Sequence, residues 1–289
     1  MYARSVVVIV GLASCAQASS DRTGSDAAVH HDARATGDSA GGSDANSGID
    51  GSFRDAPPSA AAALALTEVT LAGTEFIEIA NPTGATVDLS TYYLADNGNY
   101  FKLPAGTPTL TTGDFIAKFA AGSTIASHGV QTIAIGTAVA FNTAYGVTPT
   151  YSLSDGTITT VVKQGTPSLT DTGEVIVLFQ WDGTAPLVKD VDIMIAGAPS
   201  SGNGLTPSKS GYTQLTASYA TDANTIASQA SAPPSGKSTK RILAEAGHET
   251  QNGAGNGING DDETSEDTGT TWDTTATFSA PTPGTSPVN

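Results

Sequence analysis

The residues of this chain that could do chemistry are few, and most of them are carboxylates. The densest group is Asp261-Asp262-Glu263 with Glu266-Asp267, set among Asn and Gly. Several carboxylates and carbonyls in one loop are the hard oxygen donors that Ca²⁺ takes at about 2.3–2.6 Å. The spacing matches no EF-hand loop, however, and a run of like charges more often forms a solvated face. Nucleophilic catalysis has less to build on. There is no G-x-S-x-G elbow, and the histidines fall in His30-His31, Ser127-His128 and His248-Glu249. Neighbours along a strand face opposite ways, so the last two pairs make poor nucleophile–base partners. His30-His31 lacks the further ligands that a metal cage requires. Asn252-Gly253-Ala254-Gly255-Asn256-Gly257 is glycine-rich, but it has neither the lysine nor the strand-to-helix setting of a phosphate loop. No catalytic residue, metal ligand or cofactor is assigned on this reading.

Cys15 is the only thiol in the chain, and its surroundings are specific. Arg4 precedes an apolar run, Val6 to Leu12, broken only by Gly11, and small residues lead into the cysteine. This is the layout of an export signal. The apolar run is too short to span about 30 Å of hydrocarbon as a helix. Leu12-Ala13-Ser14-Cys15 resembles a bacterial lipobox, in which the cysteine becomes the lipid-modified first residue of the mature protein. An unpaired thiol in an exported chain is otherwise unusual. The expectation is a signal over residues 1–14 and lipidation at Cys15, with the membrane as a partner through that anchor. Ala16-Gln17 follow the cysteine, with no aspartate to suggest retention at an inner membrane, so the expected location is the outer membrane or cell surface.

Composition sets further bounds. The 289 residues carry a formal net charge of −16, and aromatic residues make up only 6%. From Leu64 onward eight Lys and Arg face 21 Asp and Glu, a net of −13. Duplex nucleic acid is bound chiefly through Lys and Arg, and only Lys237, Lys240 and Arg241 cluster, so nucleic acid is not an expected partner. With one cysteine, no intrachain disulfide is available. Residues 15–63 read as a linker of Asp, Ser, Gly and Ala that buries too little to offset its ordering entropy. As a flexible tether, about 48 such residues reach roughly 35–40 Å.

The elements that must position everything else are short strands. Leu66 to Leu71, Phe76 to Ile79, Val87 to Leu89, Tyr92 to Leu94 and Tyr100 to Leu103 are the first, with Asp96-Asn97-Gly98-Asn99 as a hairpin turn. Further strands are expected at Asp114–Phe119, Gln131–Ile135, Glu174–Trp181, Val188–Ile195, Lys240–Leu243 and Trp272–Phe278. Turn residues separate them every 8–15 positions, as in an all-β sandwich or barrel. The one short helix expected is Asp222–Gln229.

Several of these runs together resemble a known family. Leu66-Thr67-Glu68-Val69, Glu75-Phe76-Ile77-Glu78-Ile79-Ala80-Asn81-Pro82-Thr83-Gly84, Val87-Asp88-Leu89-Ser90 and Tyr93-Leu94-Ala95-Asp96 are similar to the opening of a lamin tail domain. Weaker blocks follow in the family's order. They are Pro104-Ala105-Gly106-Thr107 with Thr112-Gly113-Asp114-Phe115, Leu169 to Leu178, Val188-Lys189-Asp190-Val191-Asp192, Ser238-Thr239-Lys240-Arg241 and Pro281-Thr282-Pro283-Gly284. The chain departs where the family has Gly-Trp and this sequence has Thr91-Tyr92. The resemblance implies an immunoglobulin-like β-sandwich of lamin-tail type over residues 64–289, with Ala120–Thr166 and Ala198–Ser238 as long loop insertions. Joined to the anchor expected at Cys15, the leading reading is a non-catalytic binding or structural module, lipid-anchored at the cell surface, whose inserted loops present a site for a protein or carbohydrate ligand. The alternative is a calcium-dependent enzyme or enzyme-accessory domain with a cation at the acidic loop near Asp261.

Overall fold

Short apolar runs punctuated by turns form two sheets packed face to face. The computed structural model describes residues 64–197, 207–222, 229–244, 249–251 and 254–286, all within the unit Phe53–Asn289. Cys15, the export signal and the tether lie outside the described residues. In chain order the first strands are β1 (Ala65–Thr70), β2 (Phe76–Ala80), β3 (Val87–Asp88), β4 (Tyr92–Ala95), β5 (Phe115–Lys118), β6 (Thr124–Ile125) and β7 (Val130–Ala134). Helix α1 (Ala138–Tyr145) then precedes β8 (Tyr151–Ser152), β9 (Thr159–Lys163), β10 (Gly173–Gln180) and β11 (Lys189–Gly197). The last elements are β12 (Thr213–Gln214), β13 (Ala217–Ser218), β14 (Thr239–Lys240), β15 (Thr250–Gln251), β16 (Asp261–Asp262) and α2 (Thr268–Thr271).

One sheet runs β14-β1-β2-β7-β8 and the other β11-β10-β4-β5-β9. Pairing is antiparallel except between β7 and β8. The period-two alternation of each strand delivers Leu66, Val69, Ile77 and Ile79 from the first sheet against Leu94, Phe115, Ile176, Leu178 and Met194 from the second. This is an all-β, immunoglobulin-like sandwich, as the sequence predicts.

The second sheet is buried on both faces. Its outer side carries Tyr93, Ile116, Val177, Phe179 and Ile193, capped by Tyr100 and Phe101 and by Tyr219 from the 207–222 segment. Tyr93 stacks on Phe179 at 5.2 Å, and Phe101 meets Tyr219 edge-on at 5.6 Å. On the first sheet, Phe76 is covered by Phe141 and Tyr145 of α1.

Four expectations need correction. Tyr100 to Leu103 are not a strand but part of a 3₁₀ helix, Tyr100–Ala105. Asn97 accepts the Asn99 N–H at 2.7 Å, turning the backbone, and Pro104 could not donate to a ladder. Residues 120–166 are not a loop insertion: they supply β6 to β9 and α1, so both sheets depend on them. Trp272 to Phe278 makes only a bridge from Trp272 to Arg241, followed by a turn closed by Thr277 N–H on Thr274 O. Neither helix of the described residues, α1 or the single turn α2, was foreseen, and the longer is α1. Its signals are Thr137, whose hydroxyl accepts the Ala140 N–H at 3.2 Å, and Gly146 at φ 74° after its last turn. Residues 223–228 of the expected helix lie outside the described residues, and Asp222 and Gln229 are not helical.

Two β-bulges determine which way the polar residues point. Between β1 and β2 the register shifts from Leu66↔Ile79 to Glu68↔Glu78, leaving Thr67 extra. Between β10 and β11 it shifts from Leu178↔Asp192 to Phe179↔Asp190, leaving Val191 extra. A bulged residue interrupts alternation. Val191 therefore enters the same inter-sheet core as Met194, and Asp190 and Asp192, two positions apart, serve opposite faces of the sheet.

Candidate functional site

Asp192 faces the inter-sheet space, where it meets Arg241, the last residue of the Ser238-Thr239-Lys240-Arg241 block. Arg241 Nη2 donates to both Asp192 oxygens at 2.8 and 2.9 Å, Nη1 to Glu266 Oε1 at 2.6 Å, and Nε to Leu66 O at 2.8 Å. Asp192 Oδ2 also accepts the Leu66 N–H at 2.5 Å. The guanidinium lies over the Trp272 ring at 5.0 Å, and its side chain has 0% exposure. A planar fork that satisfies two carboxylates and a carbonyl while stacking on an indole is a role that Arg fills and Lys does not. The arrangement ties β1, β11 and the C-terminal segment together.

Asp190 faces outward, into the layer formed by residues 207–222. Lys209 Nζ donates to Asp190 Oδ2 at 2.7 Å and to Asp222 Oδ1 at 3.1 Å. The Tyr100 hydroxyl donates to Asp190 Oδ1 at 2.5 Å, and Asn256 Nδ2 donates to Asp222 Oδ1 at 2.7 Å. Burial disfavours the Lys209 ammonium, but Asp190 and Asp222 outweigh it and hold its pKa above the ordinary lysine value. Burial likewise pushes the Asp190 carboxyl up, against the pull of Lys209 and Tyr100.

A third group docks the end of the chain. The bulge at Thr67 sets Glu68 directly opposite Glu78, both with 0% exposure, a pairing of like charges that is unfavourable by itself. Donors converge on them. Glu68 accepts from Ser238 Oγ at 2.5 Å, Thr282 N at 2.9 Å and Thr282 Oγ1 at 3.0 Å; Glu78 accepts from Thr67 Oγ1 at 2.9 Å and Gly284 N at 2.6 Å. Burial raises the Glu78 pKa to about 7 despite these bonds. Pro281-Thr282-Pro283-Gly284 is thus strapped over β1 and β2, with Glu68 and Glu78 enclosed beneath it. At the far end of the second sheet, Glu174 is raised to about 8 by burial, against the Thr170 and Val175 N–H groups that donate to it at 2.8 and 3.0 Å.

The acidic run is not a solvated face. Asp261, Asp262, Glu263 and Glu266 are all buried. Asp261-Asp262 form β16, Asp262 Oδ1 accepts from Thr264 Oγ1 at 2.6 Å at the start of a 3₁₀ turn, and Glu266 holds Arg241. Among the described residues no three His, Cys, Asp or Glu side chains are grouped to hold a metal ion. The nearby glycines serve close backbone packing: Gly255 and Gly257 donate to Gly260 O and Asp261 O at 2.8 and 2.9 Å. A Cβ on Gly255 would overlap the Asp261 carbonyl. Ser127 and His128 sit in an exposed turn, with Ser127 Oγ donating to Thr83 O at 3.0 Å and His128 at φ 54°. His248 and His30-His31 lie outside the described residues. The basic cluster dissolves, since Arg241 is buried and Lys240 Nζ donates to Ser279 Oγ at 2.8 Å and Ala280 O at 3.0 Å.

Concave surface borders a loop the sequence does not single out, that from Trp181 to Lys189. A cavity of about 190 Å³ on one side is lined by Thr91, Gln180, Trp181 and Asp182. One of about 390 Å³ on the other side is lined by Pro186, Tyr219 and the Gly255–Gly257 backbone. The two share Ala185, Leu187 and Lys189. Trp181 is half-buried, and its indole N–H donates to Ala185 O at 2.8 Å, which fixes the ring. Tyr219 and Ser218 come from the 198–238 stretch, so that part of the expected insertion does border the concavity, while also covering the outer core.

The chain's buried charged residues tie distant segments of an immunoglobulin-like sandwich together. The family model for the Lamin Tail Domain matches residues 57–193, and over that stretch the chain is similar to that family. No curated protein matches the chain. Among solved structures it is similar to a DUF4876 family protein from Bacteroides thetaiotaomicron VPI-5482, with 15% identity and a TM-score of 0.35. The alignment covers 68% of this chain and 65% of that one. No helix among the described residues is long and apolar enough to cross a membrane.

Proposed function

We propose that this chain is an exported, lipid-anchored envelope protein whose lamin tail-type sandwich binds a carbohydrate and performs no chemistry on it. The observation that carries the binding reading is Trp181, half-buried, held by its bond to Ala185 O and lining the cavity of about 190 Å³ with Gln180, Asp182, Thr91 and Lys189. An aromatic face bordered by amide, hydroxyl and charged groups suits a sugar ring, whose apolar face stacks while its hydroxyls bond. The assignment of no catalysis is supported by the fate of the chain's charged motif residues: Glu68, Glu78, Asp190, Asp192, Arg241 and Glu266 are enclosed and bonded to one another, to Lys209 or to neighbouring hydroxyl and backbone groups. The anchor rests on Leu12-Ala13-Ser14-Cys15.

Glycan-array binding by the full chain tests the site. Trp181→Ala is expected to abolish retention of the bound glycans at a temperature where circular dichroism shows the variant folded, and Lys189→Ala, at an exposed residue of the same cavity, is expected to weaken retention with the unfolding midpoint close to that of the wild type. Release of hydrolysed sugar, or glycan binding unchanged in Trp181→Ala, would overturn the reading.

A further inference from the structure

We propose that Lys209 and Asp190 become joined by an isopeptide bond, formed within the buried triad Lys209–Asp190–Asp222 with no external reagent. Three observations carry this. The Lys209 amine touches both carboxylates, at 2.7 Å to Asp190 and 3.1 Å to Asp222, and none of the three side chains exceeds 1% exposure. The Tyr100 hydroxyl donates at 2.5 Å to Asp190 Oδ1, the oxygen that Lys209 does not contact. It is therefore placed to support negative charge there, as an oxyanion donor does. Asp222 is held by Asn256 Nδ2 and by the Lys209 N–H at 2.7 and 2.6 Å, which keeps its Oδ1 beside the amine.

The contrast with Arg241 sharpens the point. On the opposite face of the same sheet the chain meets the ordinary need for a buried cation with arginine, the better ion-pair partner, over Asp192 and Glu266. Over Asp190 it places a lysine, whose amine becomes a nucleophile once it gives up a proton in a dry site.

The step balances within the triad. The ammonium passes a proton to Asp222, and the Nζ lone pair attacks Asp190 Cγ. A second proton leaves the nitrogen by the same carboxyl. Asp190 Oδ2 collects both protons and departs as water, so one C–O bond breaks, one C–N bond forms and Asp222 ends as it began. Nothing is oxidised or reduced. The product staples the 207–222 layer to β11, in a chain whose single cysteine excludes an internal disulfide.

Peptide mapping of the full chain purified from cells tests this. An unlinked chain is cut by trypsin after Lys189, Lys209 and Lys237. The bond blocks the cut at Lys209 and leaves residues 190–237 as one peptide lighter by one water, with fragmentation assigning the link to Lys209 and Asp190. Lys209→Arg and Asp222→Asn are each expected to restore the full mass. Cleavage at Lys209 with the full sequence mass in the wild-type protein would overturn the proposal without reference to any variant. So would a water loss that maps to another pair or to a succinimide at an aspartate.

Discussion

Replacing Arg241 by methionine removes the positive centre of a buried triad and leaves its two acidic partners in place. Asp192 would retain only the Leu66 N–H, and Glu266 would lose its 2.6 Å donor, in surroundings where neither side chain exceeds 1% exposure. Breaking a buried pair by removing one partner costs about 3–5 kcal/mol. The lost stacking on Trp272, on the order of 1 kcal/mol, and the orphaned Leu66 carbonyl place the loss in the upper half of that range. A loss of about 4–5 kcal/mol is a large share of the roughly 5–15 kcal/mol that holds a typical domain together. At roughly 2–4 °C per kcal/mol for a domain of this size, the midpoint should drop by about 8–20 °C. Thermal and urea unfolding followed by circular dichroism measures it. Arg241→Lys should fall between, because an ammonium cannot reproduce the fork. Combining Arg241→Met with Asp192→Asn and Glu266→Gln should recover most of the loss. No buried charge is then left, and the amide oxygen introduced by Asp192→Asn still accepts from the Leu66 N–H. If Arg241→Met unfolds within about 1 kcal/mol of the wild type, the claim that this motif residue is a structural clasp is wrong.

Two further outcomes are expected. Glu78 is raised from 4.5 to about 7 in the folded protein, and Glu174 from 4.5 to about 8. The native state therefore keeps protons that the unfolded chain releases above pH 4.5, so these groups stabilise fully below that pH and their contribution is lost as pH rises toward 7 and 8. Urea midpoints should decline from pH 5 to pH 8, and Glu78→Gln should flatten the decline; a midpoint that climbs across the range would refute the assignment. For the anchor, Cys15→Ser should shift the protein from the detergent phase to the aqueous phase and out of the membrane fraction. Retention of the serine variant in membranes, or an unmodified Cys15 by mass spectrometry, would remove the anchor from the proposal.

Much of the sandwich was legible because its strands obey simple alternation. Phe76 to Ala80, Tyr92 to Ala95, Glu174 to Gln180 and Lys189 to Ile195 all lie in strands at the positions where the apolar pattern puts them. Asp88 accepts the Ser90 N–H at 2.8 Å, as a short turn following Leu89 requires. Asn81 does more than its turn predicts, since its side chain donates to Ala85 O at 2.7 Å and Ala126 O at 2.8 Å and accepts from the Thr83 N–H. What could not be read were partners distant in sequence. Lys209 has no local motif, and its carboxylates come from β11 and from beyond β13. The acidic run looked solvated because a string of letters does not show that Arg241 reaches Glu266 or that β15 pairs with β16. Trp181 read as the end of a strand, and nothing local announces that both flanks of the following loop are concave.

The two bulges explain why motif reading succeeded for the fold and failed for the side chains. Strict alternation would send Asp190 and Asp192 to one face, where two carboxylates would compete for whatever cation lay there. One extra residue, Val191, separates them: the inner carboxylate goes to Arg241 in the core and the outer one to Lys209 beneath the cover layer. The same device at Thr67 turns Glu68 outward beside Glu78, creating a pair of acids to which the Thr282–Gly284 strap donates alongside Ser238 and Thr67. Each bulge thus converts a run of sequence that looks like an ordinary amphipathic strand into an attachment point for a segment far along the chain. The lamin-tail blocks that lie widest apart, those of Glu68 and Thr282, are consequently in direct contact.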